Sequence, residues 1–139
     1  MPAKVETISD GSDPIAIIIR ADFNEPGVHF LTPAHFSQQL AVMRHPKGKT
    51  LDAHIHNPVP RQILYTQEVL LIRKGRIKVT LYTSLRKRLQ SVEITTGDLI
   101  LLCGGGHAFE MLEDTDMIEV KQGPYAGEND KTRFEEGAT

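Results

Sequence analysis

Residues 76–82, Arg-Ile-Lys-Val-Thr-Leu-Tyr, open with a strict alternation of polar and apolar side chains. A period of two puts Ile77, Val79 and Leu81 on one side of a strand and leaves Arg76 and Lys78 on a wet face. Shorter versions of the same signal recur along the chain. Residues 14–19, 28–31, 66–72, 92–95, 99–102, 108–112 and 117–120 are apolar or β-branched runs bounded by turn residues. Asn24, Pro26 and Gly27 interrupt the early part, His-Pro-Lys-Gly-Lys-Thr marks a turn at 45–50, and Thr96-Gly97-Asp98 marks another. Pro33 and the residues after it allow at most one helical turn. Many short strands with almost no helix predict an all-β sandwich or barrel.

The chain has 139 residues, enough for one domain with a core of its own. Apolar residues make up 40% and charged residues 24%, the composition of an ordinary soluble globular protein. A net charge of -2 argues against a general nucleic-acid binder, although charge is unevenly placed. Arg73, Lys74, Arg76, Lys78, Arg86, Lys87 and Arg88 fall in a stretch without an acid, and carboxylates dominate beyond Phe109. The single cysteine, Cys103, excludes an internal disulfide. No signal peptide is evident, and no apolar run approaches the ~18 residues of a membrane span. A cytoplasmic protein without a membrane partner is expected.

His54 and His56 are one residue apart, so on a strand both imidazoles would point to the same side. His107 follows Gly104, Gly105 and Gly106, which permit close backbone approach. Three imidazoles and one oxygen donor would suit a first-row metal ion. Two residues compete as the oxygen donor. Glu68 heads an apolar strand, where a carboxylate facing a core needs a partner. Gln62 lies nearer His56 and offers an uncharged carbonyl. Arg61 is a candidate donor to an anionic ligand, and Tyr65 offers a phenol.

Two stretches resemble the conserved motifs of the cupin family. His54-x-His56, then Glu68 and Gly75, is similar to the first; Gly97-Asp98, an apolar strand, a glycine turn and His107 are similar to the second. Here residues 57–67 separate the second histidine from the glutamate, where cupins have a shorter spacer. Cys103 stands where proline is usual. The closing Glu-Val-Lys-Gln-Gly-Pro-Tyr, followed by Asp130-Lys131, resembles a group of cupin metalloproteins of uncertain activity found near polysaccharide and surface-sugar genes.

This resemblance implies a single cupin domain over 1–139, a double-stranded β-helix or jelly roll whose motif core spans about 54–107, with a turn-rich tail at 122–139. It implies one divalent transition metal ion per chain (iron, manganese, nickel or zinc) held by His54, His56, Glu68 and His107, with Gln62 as the alternative ligand. The expected function is metal-assisted binding or conversion of a small oxygen-rich molecule, such as a sugar derivative or keto acid, with Arg61 and Tyr65 near it. No residue presents itself as the separate base that catalysis would need. The competing expectation is a non-enzymatic ligand-sensing or interaction protein. A homodimer is expected in either case.

Overall fold

The computed structural model describes residues 4–137, and these fall into two compact units. One comprises the chain up to Phe23 together with the chain from Tyr65 onward; the other is Asn24–Leu64. Ten strands and one 3-10 turn, Gly127–Asp130, are the regular elements of the described residues.

In the larger unit, β1 (Val5–Asp10), β2 (Asp13–Ile19), β8 (Leu99–Leu102), β5 (Glu68–Lys74) and β10 (Asp116–Lys121) form a five-stranded sheet in the order β1-β2-β8-β5-β10. Strands β6 (Arg76–Tyr82), β7 (Arg88–Thr95) and β9 (Gly106–Met111) form a three-stranded sheet in the order β7-β6-β9. Every pairing is antiparallel. The smaller unit holds one ribbon, β3 (Gly27–Phe30) against β4 (Ala41–Arg44).

One apolar cluster joins the two larger sheets. Ile8, Ala16, Ile18, Leu70, Ile72, Ile100 and Leu102 from the five-stranded sheet meet Ile77, Val79, Leu81 and Ile94 from the three-stranded one. The alternation in β6 places Ile77, Val79 and Leu81 there with no exposed surface. Strands β2 and β8 are apolar on both faces, since Ile17 and Leu101 point away from this cluster and are still buried. That explains why their sequences read as continuous apolar runs rather than alternations.

The chain passes from β5 in one sheet to β6 in the other through Gly75, at φ 113. A side chain there would stand 2.6 Å from the Asp114 carbonyl oxygen and from the Thr115 hydroxyl, so only glycine fits. The β6–β7 connection closes on Thr83, whose amide donates to the Lys87 carbonyl at 2.8 Å.

The expected jelly roll is not formed. Among the described residues, strands β1, β10, β7 and β9 each have a neighbour on one side only, so the sheets they form are open and no double-stranded β-helix closes. Closure would require further strands from the middle of the chain. There, residues 51–64 contain no regular element, and β3 and β4 pair only with each other. The all-β composition and scarcity of helix expected from the sequence are present; the cupin topology is not.

Candidate functional site

The Gly97-Asp98 pair, half of the second motif-like stretch, is structural. The Asp98 carboxylate is buried and accepts hydrogen bonds from the Ala21 amide at 2.8 Å, the Thr95 amide at 2.9 Å and the Arg20 guanidinium at 3.1 Å. Arg20 also donates to Glu6 at 2.8 Å and to the Glu93 carbonyl at 2.8 Å. This network ties β1, the end of β2, β7 and the turn before β8 together. Asp98 is 4% exposed and its carboxylate is taken up by this network.

The polar groups that do face outward collect at the other end of the core. Register places Glu68 opposite Leu102 on β8 and opposite Lys121 on β10. Glu119 sits opposite Leu70, one step along on the same face. On the three-stranded sheet, His107 lies opposite Leu81. The His107 Nε2 is 3.6 Å from the Glu68 Oε2, with the two side chains 29% and 16% exposed. Buried Leu70, Leu81 and Leu102 form the apolar floor beneath this pair.

Burial drives both members of the pair toward neutrality. Glu68 is raised from its usual 4.5, first by desolvation and then by the charge of and a hydrogen bond with Glu119; Lys121 and Lys131 oppose the shift. His107 is lowered from its usual 6.5, again mainly by burial, with Lys131 adding to the shift and Glu119 opposing it. At 3.6 Å the contact is longer than a hydrogen bond. An imidazole biased toward its neutral form faces a carboxyl biased toward holding its proton, within the field of Glu119, Lys121 and Lys131.

Cys103 is not an activated nucleophile. Burial pushes its thiol up to about 11, and its amide is held by the Ile15 carbonyl at 2.9 Å. The C-terminal segment is anchored beside the glycine turn. Phe134 meets Tyr82 edge-on at 5.1 Å, and the Tyr82 hydroxyl donates to Glu136 at 3.2 Å. The Phe134 ring also occupies the space a side chain at Gly106 would need.

The residues singled out from sequence divide between the two units. His54 and His56 lie in the smaller one, exposed and outside any strand, with ring centroids 5.2 Å apart and planes at 74°. The His54 Nδ1 is 2.9 Å from the Asp52 carbonyl. Arg61 and Gln62 are in the same unit and exposed. Tyr65, 80% exposed, begins the second segment of the larger unit, which also holds Glu68 and His107. The structure thus brings His54 to His56 and Glu68 to His107.

The expectation of a bound transition metal is corrected here. Among the described residues, no group of three or more histidine, cysteine, aspartate or glutamate side chains is placed to hold a metal ion. Neither Glu68 nor Gln62 completes a coordination sphere of that kind. Glu119 was not anticipated. It lies between Ile118 and Val120 and reads as the wet face of a strand, and only the β5–β10 register reveals its neighbour.

Compared with protein-family models, curated proteins and solved structures, the chain gives no match. The cupin resemblance rests on short motifs alone. The open sheets and the missing ligand group overturn it, and with it the reading of a metal-dependent cupin. Among the described residues, no helix is long and apolar enough to cross a membrane.

Proposed function

We propose that the protein is a non-catalytic, all-β binding protein that takes a small hydroxylated acid at the Glu68–His107 end of its core. The observation that carries this reading is the 3.6 Å pairing of Glu68 with His107 over an apolar floor, within the field of Glu119, Lys121 and Lys131. Carboxyl oxygens and an imidazole suit hydroxyl groups, and the two ammonium groups suit a carboxylate. The protonated Cys103 thiol supplies no nucleophile.

The same proposal includes a homodimer, a cytoplasmic setting and no nucleic-acid partner. The last is supported by the fate of the basic run. Lys78 pairs with Glu110 at 2.9 Å, Arg76 with Glu93 at 3.3 Å, Arg88 with Glu136 at 3.7 Å and Arg73 with Asp116 at 3.8 Å. Three of these pairs cross neighbouring strands and the fourth reaches the C-terminal segment, so four of the seven basic residues of this stretch have acidic partners.

Calorimetric titration with gluconate, glucuronate, acetate and glucose tests the reading. The hydroxylated acids should bind more tightly than acetate or glucose. Lys131→Met and His107→Gln should each weaken that binding by roughly tenfold, the loss of one charge-assisted or buried hydrogen bond. Equal affinity in the variants, or no binding by any acid, overturns it. Consumption of the ligand would instead make Glu68 and His107 an acid–base pair.

A further inference from the structure

Two features of this chain match each other. Every residue from 51 to 65 is exposed, and residues 51–64 belong to no regular element. None of residues 51–64 joins a backbone-to-backbone hydrogen bond among the described residues. Yet the segment is not polar: Leu51 is 66% exposed, Ile55 86%, Val59 55% and Ile63 46%. These four recur at every fourth position, so in a strand all would lie on one face.

The second feature is the edge strand β9. Its Phe109 and Met111 are in register with Val79 and Ile77, so they point to the core side of the three-stranded sheet. Val79 and Ile77 are fully buried, whereas Phe109 and Met111 are 37% and 47% exposed. The apolar layer therefore runs out at β9. Three strands facing five leave about 10 Å of sheet width, two strand spacings, without an opposing layer.

We propose that a second copy of this chain supplies the missing strand, laying its residues 51–64 along β9, with each copy giving one strand and receiving one. This rests on the homodimer proposed above and deepens it. Fourteen residues in strand conformation reach about 46 Å, well beyond the length of β9. Pro58 and Pro60 favour this placement. Both sit at even positions, so the odd positions that carry Leu51, Ile55, Val59 and Ile63 keep every backbone donor on one side of the strand. The prolines then fall on the outer side, where an edge strand tolerates them and where they block further addition. The exchange is two-fold and self-complementary, so it closes at two copies.

The test uses two differently tagged copies of the full chain, both with Cys103→Ser. One carries Ile55→Cys and the other Met111→Cys, and they are co-expressed and treated with a short bismaleimide. The expected product is a covalent pair containing both tags, in protein whose mass by light scattering is that of two chains. A dimeric mass without the mixed product overturns strand exchange and leaves the dimer standing. A monomeric mass at every concentration overturns both, including the case in which a chain pairs its own segment with its own β9. Hydrogen exchange on the unmodified protein gives the second readout. Amides of 51–64 and β9 should exchange at least roughly tenfold more slowly in the dimer than in an unpaired segment. Unprotected exchange across 51–64 in the dimer overturns the proposal.

Discussion

His107 and Glu68 stand 3.6 Å apart on facing sheets, and burial favours the uncharged form of each. A surface ion pair would show the opposite tendency, with the imidazole raised and the carboxyl lowered. The neighbours set how far each shift goes, which makes the cluster accessible to titration.

The His107 ring should titrate below 6.5, followed by its Cε1 proton resonance. Glu119→Gln should lower its pKa further, because the Glu119 charge favours the imidazolium. Lys131→Met should raise it, because the ammonium opposes that form. Opposite responses would place His107 away from these two groups.

Stability should depend on pH through the same pair. The folded-state pKa of Glu68 is raised, so its contribution is present below about 4.5 and is lost as pH rises through the folded value. That of His107 is lowered, so its contribution is present above about 6.5 and is lost as pH falls through the folded value. Glu68→Gln should therefore remove the decline on the rising side and leave the acid side, measured by urea unfolding at a series of pH values. A parallel pH profile for Glu68→Gln would contradict this.

Gly75→Ala should destabilise by about 2–4 kcal/mol, combining strain at positive φ with the clash at Asp114 and Thr115. Gly11, at φ 59 with open space around it, is the control. There the same change should cost about 1 kcal/mol. Denaturant midpoints of both variants check the difference.

Asp98→Ala should cost about 3–5 kcal/mol, since it leaves the partly buried Arg20 and two backbone amides without their acceptor. A double-mutant cycle with Arg20→Met should show coupling well above that of the exposed Arg73–Asp116 pair, which is worth about 0–1 kcal/mol.

The strands were legible where local pattern decides them. Alternation fixes β6 to the residue, and the apolar run at 99–102 is β8. Strand β1 has no such pattern: Val5, Thr7 and Ser9 alternate with Glu6, Ile8 and Asp10, and its place comes from pairing with β2. Pairing between distant strands was not legible, so Glu119 could not be assigned to Glu68. The motif resemblance failed for a related reason. Gly97 and Asp98 are held by backbone geometry and the Arg20 network, a need many β-turns share. Within one chain the histidine pair at 54 and 56 falls outside any strand, and it belongs to a different unit from Glu68 and His107, which the spacing did not reveal.

The central claim is tested most directly by two-dimensional NMR of the protein titrated with gluconate, with the ligand recovered afterwards. Shifts should concentrate on Glu68, His107, Glu119, Lys121 and Lys131, saturate, and require roughly tenfold more gluconate in His107→Gln, with the gluconate unchanged. Shifts scattered over the surface, with the same concentration dependence in His107→Gln, would contradict the account, as would conversion of the ligand.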